Sequence, residues 1–350
     1  MSVSSAPSSA PKGAPAPDPN NLLMQVATGY MPTVCLHAAA KLKIADLLAG
    51  GPKPVSELAR EAQGVNENAL YRVLRSLATL GIFTEARSGT FANTAASELL
   101  RSGVPGSLRD VVLWLGNPLH LRIFAEFMHS IETGATAIQK ATGHEAFEYF
   151  KHDAAEQVIF NAAMTNLSAF LIPPVLEAYD FGALGTLADV GGGHGFLLAA
   201  ILQKHPGLRG IVFDLPDVVA GAKPRIESLG LASRCEIAGG DFFQGVPAAD
   251  SYVMKSIIHD WDDARSVTIL KNCARAMRGT TGKVLLVEFI IDPGNEPSLG
   301  KWIDMEMLAM AGGRERTEAE FAELFAKAGL RLARIVRTKS PYCVVEAVKA

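Results

Sequence analysis

A chain of 350 residues is long enough for two domains, and with 49% of them hydrophobic it can bury a sizeable core. A net charge of −3 excludes the strongly basic character of a nucleic-acid or membrane-surface binder. No apolar run reads as long enough to cross a membrane. Cys35, Cys235, Cys273 and Cys343 are far apart and form no C-x-x-C pair. That argues against a metal site and for reduced thiols in a cytoplasmic protein.

The opening MSVSSAPSSAPKGAPAPDPN has neither the basic start nor the apolar centre of a signal peptide. Rich in Pro, Ala and Ser, residues 1–20 are expected to be a disordered tail. Residues 21–104 follow as a first domain. Leu23, Val26, Tyr30, Val34, His37, Leu42 and Ile44 recur at helical spacing and are expected to face inward, with a break or bend at Pro32. A short helix opens at Val55 and stops at Gly64. Asn66 then caps a helix whose Leu70, Val73, Leu74, Leu77 and Leu80 form one stripe, ending at Gly81. Two short strand patterns around Arg87-Ser88-Gly89 read as a hairpin, completing a winged-helix outline. Arg72 and Arg75 are too little positive charge for groove binding, so the module is expected to pack or dimerise.

Residues 105–180 read as helical, dense in Phe and Met, the residue types that line adaptable pockets for flat ligands. Pro173-Pro174 is expected to interrupt them. In residues 181–350 strand patterns alternate with helices, which implies an α/β unit with a mostly parallel sheet. The strand candidates are Thr186–Val190, Arg209–Asp214, Cys235–Ala238, Ser251–Lys255, Lys283–Phe289, Leu332–Thr338 and Cys343–Ala347.

Between the first strand and its helix lies DVGGGHGF. A strand, a glycine turn and a helix make a nucleotide-binding corner, where the backbone must turn tightly and approach a ligand. Gly191, Gly193 and Gly195 fall as G-x-G-x-G, and Phe196 stands where a dinucleotide fingerprint has its last glycine. Ligands in open α/β sheets sit beyond the carboxyl ends of the strands, and the reactive residues gather there. Asp214 ends the second strand about 20 residues past the turn, where an acid accepts from ribose hydroxyls. Asp241 and Phe242 follow the third, suited to an adenine amino group and its ring. His259 follows the fourth, with Glu288 in the apolar setting of the next strand and Glu315 in the GGRERT loop before a helix. Histidine suits proton removal near neutral pH, and carboxylates orient it and stabilise its cation.

The ordered stretches DVGGGHG, HPGLRGIVFDLPDVV, GDFFQGVP, YVMKSIIHDWDD, ILKNCARAM and DMEMLAMAGGRERTEAEF, within about residues 187 to 325, resemble the S-adenosylmethionine-dependent small-molecule O-methyltransferases of the plant caffeate/hydroxyindole type and their bacterial relatives. The resemblance implies a Rossmann-like class I methyltransferase domain behind a winged-helix dimerisation domain, and a homodimer. It implies S-adenosylmethionine as cofactor, with Gly191 at its methionine part, Asp214 at the ribose, Asp241 and Phe242 at the adenine, Lys255 nearby, and Gly193 and Leu215 also among the binding residues. His259 becomes the catalytic base flanked by Glu288 and Glu315. Phe160, Met164, Met307 and Met310 fall where relatives line the acceptor pocket, and Met24 where a partner subunit reaches in. Met310 and Ala311 stand where plant enzymes often carry an acceptor-binding asparagine, which argues against a plant-type phenylpropanoid.

The expected reaction is in-line transfer of the sulfonium methyl to an oxygen of a small aromatic acceptor, with no nucleic acid or membrane as partner. Transfer to nitrogen of a heteroaromatic acceptor is the alternative. An NAD-dependent oxidoreductase and a winged-helix regulator are the readings from other classes.

Overall fold

The computed structural model describes residues 18–350 as two compact units, one ending at Glu98 and the other starting at Leu99. The expected tail at residues 1–20 lies outside the described residues up to position 17. Pro19 and Asn20 already open a helix, which Asp18 caps by accepting from the Asn20 amide.

In the first unit the helices Pro19–Ala27, Tyr30–Lys41 and Ile44–Leu47 precede a helix at Val55–Glu61 and another at Glu67–Thr79. Strands β1 (Lys53–Pro54), β2 (Phe83–Arg87) and β3 (Thr90–Asn93) form a small sheet in the order β1-β3-β2, as a winged helix requires. Asn66 caps the Glu67–Thr79 helix through the Ala69 amide, and Leu70, Leu74 and Leu77 are its buried stripe. Two expectations fail here. The break falls at Thr28–Gly29 rather than Pro32, because a proline in the first turn of a helix gives up an amide that has no intrahelical partner anyway. Leu23, Val26 and Tyr30 do not face inward: they are 70%, 68% and 58% exposed. Periodicity reports an apolar face, not what covers it.

The second unit is built on a seven-stranded sheet in the order β6-β5-β4-β7-β8-β10-β9. Its strands are β4 (Thr186–Val190), β5 (Arg209–Asp214), β6 (Cys235–Gly239), β7 (Ser251–Lys255), β8 (Lys283–Glu288), β9 (Leu330–Arg337) and β10 (Cys343–Lys349). The first five pair in parallel, and β10 runs antiparallel between β8 and β9. Each predicted strand is present, with ends within two residues of those expected. The class I methyltransferase fold behind a helical winged domain is thus the fold of the chain.

The central strands are apolar on both faces because helices cover both. Leu187 and Val212 point into one core with Leu197, Ile201 and Val175. Ala188, Val190, Ile211 and Phe213 point into the other, with Ile269, Phe321 and Phe325. This period of two across a doubly covered sheet fixes the register, since a one-residue slip would exchange the faces.

Residues 109–178 form six helices, the last being Ala154–Ala178. Pro173 and Pro174 lie inside it rather than breaking it. Leu171, Ile172 and Val175 anchor that segment in the sheet's core, and Pro173 is exposed, so packing outweighs the lost helix bonds. This helix also corrects the reading of apolar runs. At 25 residues, with an 18-residue stretch of mean hydropathy 1.5, it is long and apolar enough to cross a membrane, by length and composition only.

Candidate active site

The strand order reverses direction between β4 and β7, and the crevice beyond the strand ends at such a switch point is where open α/β sheets bind ligands. The Gly191–Gly195 turn, Asp214, Lys255 and Glu288 all sit at the carboxyl ends of the neighbouring strands β4, β5, β7 and β8.

Gly191 has φ 71°, and a Cβ there would collide with Ile257 Cδ1. Its amide and that of Gly192 donate to the Phe213 carbonyl, which ties the turn to β5. Gly193 has φ 54° and open space where a Cβ would stand. Its amide donates to Asp214 Oδ2 at 2.8 Å, while Leu215 donates to Oδ1 at 2.7 Å. Burial raises the Asp214 pKa against these two amides. Asp189, below the turn, is 2% exposed, with Oδ2 unpartnered. Burial lifts it to about 7 although Lys255 pulls the other way. Gly191→Ala is therefore expected to destabilise the fold, since a left-handed backbone costs a side chain about 1–2 kcal/mol and the clash adds to it. Urea unfolding checks this, and an unchanged midpoint would mean that the turn accepts a side chain.

On the third strand end, Asp241 caps its own turn by accepting from Phe243 N at 2.8 Å. Phe242, Phe243 and Trp261 form an edge-to-face group, with Phe242 and Phe243 both half-buried. Leu215 is 46% exposed beside Asp214.

The most unusual chemistry follows β7. Ser256 takes φ 53°, a strained value for a residue with a side chain. That conformation turns the next amides, Ile257 N and Ile258 N, onto Glu288 Oε1 at 3.1 and 3.0 Å. His259 follows, 8% exposed. Its Nδ1 lies 2.7 Å from Glu315 Oε1 and 3.8 Å from Glu288 Oε2, and its Nε2 lies 3.5 Å from Asp260 Oδ1. Burial alone would lower the pKa of this ring. Glu288, Asp260 and Glu315 overcome it and hold the ring at about 10. Burial also raises Glu288, which carries no exposed surface, and lifts Asp260 to about 6. The structure thus brings His259, Glu288 and Glu315 together from three separate stretches of chain.

Sequence reasoning missed three members of this cluster. Asp260 follows His259 directly and is the carboxylate nearest Nε2. Asp304 Oδ1 accepts from the Glu315 amide at 2.8 Å. Arg316, fully buried, donates to the carbonyls of Ile258 and Trp261 at 3.0 and 2.9 Å. Asp260 and Arg316 adjoin His259 and Glu315 in the sequence and Asp304 stands in DMEM, but no local signal singles them out.

Of the expected pocket residues, Phe160, Met164 and Met310 share one cluster with Trp114, Phe150 and Ile123. Met307 opens a π-helical turn, Met307–Ala311, that carries Met310. Met24 belongs to the first unit, where it is 61% exposed on the helix Pro19–Ala27.

Comparison with known proteins agrees with this architecture. Residues 124–331 match the O-methyltransferase domain, and residues 24–103 match the O-methyltransferase dimerisation domain. A phenazine O-methyltransferase, PhzM, from Lysobacter antibioticus is 44% identical over 330 residues, covering 94% of this chain and 96% of that protein. An 8-amino-8-demethylriboflavin N,N-dimethyltransferase from Streptomyces davaonensis is 32% identical, over 89% of this chain and 90% of its own. The crystal structure of LaPhzM superposes with a TM-score of 0.89 at 43% identity, over 95% of this chain and 99% of its own. The neocarzinostatin-pathway O-methyltransferase NcsB1, in complex with S-adenosylmethionine and 2-hydroxy-5-methyl naphthoic acid, gives 0.76 at 34%, over 92% and 96%. With the catalytic domain matched across more than half of its length and a relative 44% identical across nearly all of it, this chain belongs to the O-methyltransferase family.

Proposed function

We propose that this chain moves a methyl group from S-adenosylmethionine to a hydroxyl of a small, flat aromatic acceptor, phenolic or polyketide-like, with His259 as general base. Methyl transfer comes with the family; the acceptor class and the roles of single residues are the proposal. One observation carries it: a buried imidazole, gripped on Nδ1 by Glu315, stands at the same sheet edge as the glycine turn and Asp214.

The cradle suits the donor. Gly191 and Gly193 let it approach the backbone, the Asp214 carboxylate fits ribose hydroxyls with Leu215 alongside, and Asp241 and Phe242 offer an acceptor and a ring to the adenine, with Lys255 nearby. When bound, it supplies a methyl group activated on a cationic sulfur. Glu315 accepts from Nδ1–H, which leaves Nε2 as the basic atom of His259. Nε2 takes the acceptor's hydroxyl proton, and Glu288 and Glu315 stabilise the imidazolium that forms. Phe160, Met164, Met307 and Met310 then provide apolar walls for the acceptor. The apolar residues left exposed on the first two helices, Leu23, Met24, Val26 and Tyr30 among them, support a homodimer formed through that domain. Four free cysteines fit a reducing cytoplasm.

The His259 pKa of about 10 makes the reading testable. A phenol also ionises near pH ~10, so proton transfer between the two is close to balanced. Only the deprotonated ring acts as base, so kcat/KM for 2-naphthol should rise about tenfold per pH unit from pH 6 toward 9. Glu315→Gln removes one stabilising carboxylate, lowers the ring's pKa, and should make the rise level off at a lower pH. The sign for stability is opposite. A raised folded pKa stabilises fully below the unfolded value of 6.5 and is lost as pH climbs through about 10. A flat wild-type rate profile would refute the base. The ligand atoms of His259, Glu288 and Glu315 also lie within 4.8 Å of one another, close enough to hold an ion. Full turnover in EDTA is expected, and a loss reversed by added metal would reassign the trio.

A further inference from the structure

A second buried histidine lies on the helix Pro118–Ala125, outside the trio just described. His120 is 4% exposed. Its Nε2 is 3.0 Å from Glu306 Oε2, and its Nδ1 is buried without a hydrogen-bond partner. Its ring stacks on Phe124 and meets Trp114 edge-on, and Trp114 in turn packs on Phe150 and Phe160. The His120 amide donates to Asn117 Oδ1 at 2.7 Å, and Asn117 Nδ2 donates to Glu156 Oε2 at 2.8 Å. A polar group set in an apolar cluster with one nitrogen unsatisfied is costly unless something pairs with it.

One helix ties this group to the catalytic cluster. Leu299–Glu306 carries Asp304, which holds the Glu315 amide, and two residues on it carries Glu306, which holds His120. The π-turn Met307–Ala311 continues from it, and its Met310 shares the cluster with Trp114 and Phe160. Gly313, just past that turn, presses so closely on the His259 carbonyl that a Cβ would overlap it. The two histidines therefore flank the same short segment, with apolar walls around it.

Resting on the acceptor pocket proposed above, we infer that His120 Nδ1 reads a second protic substituent of the acceptor, a hydroxyl or amino group remote from the one that is methylated. The chemistry selects this class over a carboxylate. Nε2, 3.0 Å from the Glu306 carboxylate oxygen, is placed to donate to it. Nδ1 is then a lone pair in the neutral ring or a donor in the charged one, and a hydroxyl satisfies either. A carboxylate can only accept, and it would meet Glu306 and Glu156 as like charges.

The test reads binding rather than turnover, so it is independent of His259. Calorimetry with 2-naphthol and 2,7-dihydroxynaphthalene, each in saturating S-adenosylhomocysteine, compares one hydroxyl with two. The wild type should bind the diol about tenfold more tightly, roughly what one buried hydrogen bond gives. His120→Leu and, more gently, Glu306→Gln should erase that ratio while affinity for S-adenosylhomocysteine and for 2-naphthol changes less than threefold. Equal affinities in the wild type, or a ratio that survives in both variants, overturns the inference. A flat pH profile with the diol preference intact would instead sink the His259 reading and leave this one standing.

Discussion

His259→Ala should lower kcat for a phenolic acceptor by about 10²–10⁴, the usual worth of a positioned general base, with S-adenosylhomocysteine affinity within threefold of wild type. In the proposed cofactor cradle the Gly191–Gly195 turn and Asp214 bond to each other and to Phe213 rather than to the imidazole. Removing the ring also takes the counter-cation from buried Glu288, whose carboxyl pKa burial already raises, and so pushes that carboxyl further toward its protonated form. His259→Gln is the companion variant: its amide can still donate to Glu315 but cannot accept a proton at neutral pH. Both variants should fail alike on 2-naphthol and recover on a nitrophenol already ionised at assay pH, where no proton need be removed. Wild-type turnover of 2-naphthol by either variant would remove His259 from the chemistry, and an equal loss on the ionised acceptor would make its role positional.

Much of the second unit was legible because its signals are local. A strand covered on both faces must be apolar throughout, so β4, β5, β7 and β8 announce themselves as runs bounded by Gly, Asp or Lys. The glycine spacing after Asp189 needs no tertiary information either. The first helices are different. Leu23, Val26 and Tyr30 follow the same period that correctly marks Leu70, Leu74 and Leu77, yet one stripe is covered by its own chain and the other is not. Nothing in a helical period distinguishes a face buried within the chain from one held for a second copy. Pro173-Pro174 misled for a related reason: the local cost was read correctly, but the packing of Leu171, Ile172 and Val175 outweighs it.

Glu288 and His259 could be found because one ends β8 and the other follows β7, positions that topology alone makes significant, whereas Glu315 stands in the loop before the helix Glu318–Lys327 and is marked by the GGRERT stretch. His120 and Glu306 sit 186 residues apart on helices with no motif, and only packing joins them. Asp260, Asp304 and Arg316 stayed hidden because nothing local in DWDD, DMEM or GGRERT marks which charge will find a partner, and packing and burial are what give them meaning.

Arg316 against Arg314 puts that last point to a test. The two stand two residues apart with the same charge, and both donate to Asp263 at 2.9 Å. Arg314 is 44% exposed on its side chain and also pairs with Glu320. Arg314→Leu should therefore cost under about 1 kcal/mol, as exposed pairs do. Arg316 is wholly buried, and its guanidinium is the partner of the Ile258 and Trp261 carbonyls on either side of His259. Arg316→Leu removes the shortest bond to each carbonyl, leaves them only 3.3 Å bonds from Ser266 Oγ and, at Ile258, from the Trp261 amide, and takes a partner from Asp263, so it should cost about 3 kcal/mol in total after local relaxation. Urea unfolding of the two variants measures the contrast. The turn bearing His259 is also freed, so Arg316→Leu should lose at least tenfold in kcat under conditions where it remains folded, with its Kd for S-adenosylhomocysteine little changed. Equal unfolding midpoints for the two variants would mean that the buried guanidinium does not hold the turn. Full activity in a destabilised Arg316→Leu would mean that His259 keeps its place through Glu315 and Glu288 alone.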